Sequence, residues 1–356
     1  MRLVLIGDGE SPHLLKWARA LSKEVDLWAV STRGFAPEFN FLLPAKQMLA
    51  LQTAPDHGGG NIALLKKLPE LGAWLARVKP DWLHAHYLTS AGTLAWAAKR
   101  GWGLKAKIAG SAWGSDILVT PNQGWSYRWL TKKVLSQCDV LTSDSQHMAA
   151  RMRELAPGQL RGEVMVFPFG LESLPKQGAK KEPWLFFANR GLEPIYQPHL
   201  VIEAFAAVAA QRPEARLVVA NDGSLRAALV DQVKSLGLAD RVSFTGRLVA
   251  ATMASHYARA RWFLSLPASD SVAVSVLEAM SHECVPILSE LPANRELIGA
   301  GAGRGIVLPE PAQLPTLIEQ FDNPDDAGRA NRAWVTEHGL FPPAVQRFLA
   351  RLRELS

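Results

Sequence analysis

The sequence predicts an α/β protein built from two doubly wound domains with parallel sheets. Three observations carry that expectation. Short apolar, β-branched runs alternate with longer helical patterns from the first residue onward, as parallel strands buried on both faces require. The rhythm breaks over residues 171–183, LESLPKQGAKKEP, which are rich in Pro, Lys and Gly, and then restarts. Finally, 356 residues with 48% hydrophobic and 20% charged side chains can fill two cores of ordinary composition.

In chain order, the first half offers strands at RLVLI, VDLWAV, WLHAH, AKIAG, VLTSD and VMVFP. Helical patterns fall between them at LLKWARALS, AWLARV, AGTLAWAAK, RWLTKKVLS and QHMAARMREL. After the break, strands are expected at WLFFA, ARLVVA, RVSFTG, RWFLSL, VPILS and GIVL, with helices at HLVIEAFAAVAAQ, LRAALVDQVKSLG and SVLEAMS. A helical stretch, AGRANRAWVTEHG, precedes an amphipathic tail, FPPAVQRFLARLRELS, that starts on proline. Open sheets of this kind bind ligands beyond the carboxyl ends of their strands, so two such domains are expected to face a shared cleft.

The 39 Lys and Arg against 33 Asp and Glu give a formal charge of +6, and its distribution is uneven. Residues 1–175 hold twenty basic and fourteen acidic side chains, while the remainder is balanced at nineteen each. The surplus fits either an anionic partner, such as phosphate groups or a peripheral contact with an anionic membrane, or a purely solubilising role. A nucleic-acid partner is disfavoured, because no zinc-finger spacing, RNP-type aromatic strand or long basic run accompanies the charge. The two cysteines, Cys138 and Cys284, form no CxxC, so neither a disulfide framework nor a thiolate metal site is expected. With no signal-peptide pattern in MRLVLIGDGE and no apolar run of membrane-spanning length, a cytoplasmic protein is expected, with any membrane contact peripheral.

Four segments could carry chemistry. Gly7-Asp8-Gly9-Glu10-Ser11-Pro12-His13 reads as a glycine turn between the first strand and a helix, where small residues let amides approach a phosphate. A dinucleotide fingerprint would need a third glycine where Pro12 stands, and a ligand-free βα turn explains the segment equally well. Arg190 follows strand WLFFA directly, so its guanidinium sits where a diphosphate could be held by paired hydrogen bonds; a surface arginine is the plain alternative. Ala220-Asn221-Asp222-Gly223 is explained by turn chemistry. The most informative stretch is Ser265 to Met280, SLPASDSVAVSVLEAM. A strand end, a small-residue loop carrying Asp270, and a helix starting near Val274 with Glu278 one turn in would gather two carboxylates and free amides. Amides suit a phosphate and carboxylates suit sugar hydroxyls, although a turn cap at Asp270 and a helix-dipole role for Glu278 would need no ligand.

The order strand, Asn189-Arg190, ARLVVANDGSLR, RVSFTGRL, SLPASDSVAVSVLEAMS, VPILSE, NREL resembles the retaining family 4 glycosyltransferases of the GT-B fold, glycosyltransferase group 1. In that family two carboxylates, usually both Glu, lie eight positions apart; here they are Asp270 and Glu278. HAHYLTSAG, SAWGSDI, CDVLTSDSQHM and VMVFPFGLE are similar to its acceptor-domain segments, so the resemblance spans roughly residues 2–335. It implies an acceptor-binding domain over 1–172, a nucleotide-sugar domain over 173–339, and a final helix over 340–356 returning to the first domain. Glu278 would bind the donor ribose and Asp270 the transferred sugar. Ser275 and the backbone of Val274 would take a phosphate, and Arg190 would neutralise the leaving diphosphate. Gly246 and Arg247 would lie beside the base, and Gly7 and Gly9 would close over the donor phosphates. The activity implied is retaining, metal-independent transfer from a UDP- or GDP-sugar to an acceptor hydroxyl, plausible in polysaccharide or glycolipid synthesis, with no cofactor. A non-catalytic sugar-nucleotide module and a nucleotide-sugar epimerase are the alternatives on this fold.

Three departures accompany the resemblance. Ile195-Tyr196-Gln197 stand where the family usually has a lysine, leaving Tyr196 as a hydrogen-bond donor to the donor phosphates. Asp270 is one methylene shorter than the usual Glu. Trp113-Gly114-Ser115-Asp116 stands where relatives have His-Gly-Ser-Asp, and Trp113, Ser115 and Asp116 are expected on the acceptor side with His13 and His86. His84 and His86 lack a third ligand for zinc. Trp102, Trp125, Tyr127 and Trp129, near Arg128, Lys132 and Lys133, fit either core packing or an acceptor- or membrane-facing surface.

Overall fold

A computed structural model of the chain describes residues 1–53, 62–176, 180–299 and 303–356. The chain divides into two units, Met1–Phe167 with Pro342–Ser356, and Pro168–Phe341. Of the linker read at 171–183, residues 177–179 lie outside the described residues.

The first unit holds a seven-stranded parallel sheet in the order β3-β2-β1-β4-β5-β6-β7. Its strands are β1 (Arg2–Gly9), β2 (Asp26–Phe35), β3 (Met48–Ala50), β4 (Trp82–His86), β5 (Lys107–Ser111), β6 (Val140–Ser143) and β7 (Val164–Val166). Leu3 to Ile6 of the central β1 are fully buried, which is why the run reads as uninterrupted apolar sequence. Its helices are α1 (Pro12–Leu21), α2 (Ile62–Lys66), α3 (Leu68–Val78), α4 (Thr93–Gly101), α5 (Ser115–Leu118), α6 (Trp125–Leu135) and α7 (Gln146–Leu155). Ser11 caps α1 by accepting the His13 amide at 3.2 Å, with Pro12 on the first turn. Right-handed crossovers in this strand order put α3, α4, α6 and α7 on one face of the sheet and α1 on the other.

The second unit holds a six-stranded parallel sheet in the order β10-β9-β8-β11-β12-β13. The strands are β8 (Glu182–Ala188), β9 (Arg216–Ala220), β10 (Val242–Gly246), β11 (Ala260–Ser265), β12 (Val285–Ser289) and β13 (Ile306–Leu308). The order reverses between β8 and β11, the switch point where ligands of open α/β sheets bind. The helices are α8 (Pro198–Gln211), α9 (Arg226–Ser235), α10 (Ala250–Arg259), α11 (Val274–Ser281), α12 (Pro292–Ile298), α13 (Leu314–Glu319) and α14 (Pro324–His338).

The last helix, α15 (Phe341–Leu355), joins the first unit from Pro342 onward. It buries Val345, Phe348, Leu349 and Leu352 along one stripe. Phe348 packs 5.2 Å from the Trp17 ring and 4.7 Å from the His84 ring, and Trp82 Nε1 donates to Ser356 Oγ at 2.9 Å.

One local expectation changes. The turn read at Gly7 to His13 begins only at Glu10, because β1 continues through Gly9, paired with Phe35 of β2. Neither glycine needs a positive φ; close approach explains both. A Cβ on Gly7 would lie 2.8 Å from Leu14 Cδ1, and one on Gly9 would lie 2.7 Å from the Gly34 carbonyl oxygen.

Candidate active site

At the switch point of the second sheet, Arg190 leaves the carboxyl end of β8 and Asp270 sits in the loop after β11. Arg190 Nη2 lies 2.6 Å from Asp270 Oδ2, and Arg190 Nη1 donates to Ser275 Oγ at 3.3 Å. The Tyr196 ring backs the guanidinium, its centroid 4.4 Å from Arg190 Cζ. Tyr196, expected as a hydrogen-bond donor to phosphate, meets Arg190 with its ring face. Burial pushes the Asp270 carboxyl above its usual range, opposed by Arg190 and by the Ser271 amide, which donates to Oδ1 at 3.0 Å.

Glu278 lies one turn into α11, and its placement depends on a residue the sequence did not single out. Tyr257 of α10 donates its hydroxyl to Glu278 Oε2 at 2.9 Å and accepts Asn189 Nδ2 at 2.7 Å. The Ser275 carbonyl oxygen is 3.2 Å away, but a hydroxyl has one proton and the carboxylate is the stronger acceptor. Burial and the neighbouring Glu278 hold the Tyr257 phenol well above its usual pKa, so it stays a donor. Tyr257 is 2% exposed, which fixes this relay in a rigid setting. With only four tyrosines in the chain, one placed just before the apolar strand ARWFLS was the available signal.

Around this centre the turns are laced together. Asn221 Nδ2 donates to the Asn189 carbonyl at 3.3 Å, and the Asn221 amide donates to the Gly246 carbonyl at 2.7 Å. Gly246 has φ +70°, a conformation that favours glycine, and the following Arg247 is exposed. Ala273 at the start of α11 brings no side-chain cap, so it satisfies none of the first amides of the helix, and Ser275 of that first turn meets Arg190 through its hydroxyl. Asp270, Arg190, Ser275, Val274 and Glu278 therefore form one constellation, with Gly246 and Arg247 at its β10 side.

In the first unit, the carboxyl ends of β4 and β5 carry a separate aromatic stack. Trp113 lies 4.5 Å from the His13 ring and 6.1 Å from the Tyr87 ring, and its Nε1 donates to His86 Nδ1 at 3.0 Å. That bond assigns the His86 proton to Nε2. Burial, with His84 and His13 nearby, holds the His86 pKa well below its usual value, and burial lowers His84 to about 3. His84 Nε2 and Ser111 Oγ are 2.8 Å apart, and Ser111 Oγ meets Thr142 Oγ1 at 2.7 Å. After His86 the chain enters a π-helix, Tyr87–Gly92, with Tyr87 at φ +67°, an uncommon conformation of the kind concentrated at functional sites.

Two expected residues of the first unit have partners within it. Asp116 is 1% exposed, and its carboxylate accepts the amides of Leu88, Trp113 and Gly114, so it shapes the loop from beneath. The Gly9 amide donates to Ser31 Oγ at 2.8 Å, which engages the donor that a phosphate would use. Gly7 belongs with the stack, since a Cβ there would lie 3.2 Å from His86 Cβ. Ser115 opens α5, half-buried beside Trp113. Among the described residues no group of three or more His, Cys, Asp or Glu could hold a metal ion.

Residues 172–324 match the family model of the glycosyl transferases group 1, and residues 2–145 match that of glycosyl transferase 4-like proteins. The chain is 26% identical over 230 residues to N-acetyl-alpha-D-glucosaminyl L-malate synthase of Bacillus anthracis, covering 62% of this chain and 58% of that protein. It is 33% identical over 98 residues to alpha-monoglucosyldiacylglycerol synthase of Streptococcus pneumoniae, covering 28% and 22%. The matched stretch thus spans less than two thirds of either relative. Among solved structures, Anabaena Alr3699/HepE in complex with UDP-glucose superposes with a TM-score of 0.78 at 14% identity, over 99% of this chain and 100% of that one. The likeness is one of fold, and the fold is GT-B.

Proposed function

Since the chain belongs to the group 1 glycosyltransferases, we propose that it transfers a sugar from a nucleoside diphosphate sugar to an acceptor hydroxyl, with retention and without a metal ion. The observation that carries the reading is the constellation around the start of α11, where Arg190, Asp270 and Ser275 meet and Tyr257 holds Glu278.

Each group has a chemical task in this scheme. Glu278, fixed by Tyr257, accepts hydrogen bonds from the ribose hydroxyls. The Val274 and Ser275 amides and the Ser275 hydroxyl take a phosphate, and Arg190 stabilises charge developing on the departing diphosphate. Asp270 binds a hydroxyl of the transferred sugar. It also holds the guanidinium at 2.6 Å, which orders the cation for a diphosphate. Tyr196 supplies, through its ring face, part of the support for that cation. Gly246 and Arg247 border the base. Sites for positive charge made of Arg190 and helix amides explain why EDTA should leave transfer intact.

The first unit is assigned to the acceptor, with His13, His86 and Trp113 forming its aromatic floor. UDP is the favoured donor nucleotide, supported by the UDP-glucose complex of the Anabaena neighbour, and GDP is the alternative. The names of the two synthases favour a small-metabolite or glycolipid acceptor. The test is nucleotide release from UDP- and GDP-sugars, with and without candidate acceptors. Slow release alone and faster release with acceptor support a transferase. Stable binding without release would favour a non-catalytic module, and a new sugar isomer would favour an epimerase.

A further inference from the structure

Helix α6 turns tryptophan toward water. Trp125 is 84% exposed and Trp129 is 56% exposed, and one turn separates them. Arg128 and Lys132 fall on the same side of the helix at i+3 and i+7 from Trp125, while Thr131, Val134 and Leu135 face the core. This helix contains three basic and no acidic residues. Two bulky indoles one turn apart on the solvent face of a packed helix form an apolar patch rimmed by cations.

The layer containing α6 shares its charge. Helices α2, α3, α4, α6 and α7 carry nine Lys or Arg, none of them buried, against two acids, Glu70 and Glu154. That surplus of seven exceeds the formal +6 of the whole chain. On the same layer Leu65 and Trp102 are also at least one-third exposed. No helix among the described residues is long and apolar enough to cross a membrane.

We propose that this helical layer of the first unit docks on an anionic lipid bilayer, with Trp125 and Trp129 entering the headgroup region and Arg128, Lys132 and Lys133 drawn to the lipid phosphates. Indole suits that depth because its ring is amphipathic, and a positively charged layer is attracted to an anionic leaflet within a Debye length. Charge complementarity selects a lipid surface over a neutral apolar partner, which would not call for seven surplus cations. The inference stands apart from the proposed reaction, since none of these residues belongs to the site described above.

Flotation of the full chain with phosphatidylcholine vesicles, with and without phosphatidylglycerol, tests it. Recovery is expected with anionic vesicles and not with neutral ones, and it should fall as salt shortens the Debye length from about 10 Å at 0.1 M to about 3 Å at 1 M. Lys132→Gln/Lys133→Gln should weaken binding roughly fivefold per charge removed, the equivalent of about 1 kcal/mol each. Trp125→Ala/Trp129→Ala should lose most of the remaining affinity. Both variants should keep wild-type circular dichroism and wild-type nucleotide release in solution, which separates lost docking from misfolding. No flotation with anionic vesicles, equal recovery on neutral ones, or variants that float like the wild type would overturn the proposal.

Discussion

Arg190 and Asp270, eighty positions apart, meet at 2.6 Å with each side chain 19% exposed, because β8 and β11 are neighbours at the switch point of their sheet. A pair at that exposure is partly desolvated, so each member leaves a strained partner when the other is removed. Arg190→Ala should lower turnover by on the order of a hundredfold, the loss typical of one electrostatic donor at a developing anion. Steady-state kinetics checks it, and an unchanged turnover removes Arg190 from the mechanism. Arg190→Lys should recover little, since an ammonium has neither the fork nor the flat face that meets Tyr196.

Asp270 also sets a pH dependence. Burial favours its protonated form and raises its pKa above the usual carboxylate value, so the ionised form is lost as pH falls through that raised value. The acid limb of kcat/KM should therefore lie above the ordinary carboxylate range. Asp270→Glu should move the limb, because the longer side chain changes its distance to Arg190. A limb that stays fixed in that variant assigns the titration to another group.

Tyr257→Phe should weaken donor binding about two- to thirteenfold, the effect of one hydrogen bond worth roughly 0.5–1.5 kcal/mol. If Tyr257 acts through Glu278, the same substitution should cost little more in a Glu278→Gln background. Calorimetric titration of the four proteins measures that coupling. Additive losses would show that Tyr257 contributes only to packing.

Both sheets were legible because parallel strands buried on two faces are written as apolar runs, as in RLVLI and WLFFA. The loop with Asp270 and the start of α11 were also legible, since a strand end, small residues and a helix pattern follow in order. Three things were not. The edge strand Met48–Ala50 is three half-buried residues long and carries no periodic signal. Helix α10 buries Tyr257 alone and was not read as an element, so the residue positioning Glu278 went unnoticed. The Arg190–Asp270 pair depends on strand order, which one sequence does not display. The partner of the Gly9 amide was hidden for a related reason: Ser31, which takes it, lies on the neighbouring strand.

The histidines of β4 make acid a threat to the fold. His84, lowered to about 3, and His86, held well below its usual value, stay neutral in the folded chain, whereas unfolded histidines protonate near 6.5. The unfolded state thus binds protons first, and stability falls as pH drops below about 6.5, by up to about 1.4 kcal/mol per pH unit per histidine. Denaturant unfolding across that window should show the slope, and His84→Gln should flatten it. A stability independent of pH from 6.5 to 4 contradicts this account.

The central claim is that the start of α11 is a nucleotide-sugar site read by Glu278. Thermal unfolding of the wild type and Glu278→Gln with UDP-glucose and a panel of other UDP- and GDP-sugars tests it most directly, because a ligand at a hundred times its Kd stabilises the fold by about 2.7 kcal/mol. At least one donor should raise the wild-type melting temperature, while the isosteric variant should melt like the free wild type without donor and gain much less with it. Equal stabilisation of both proteins, or no response of the wild type to any donor, would contradict the claim.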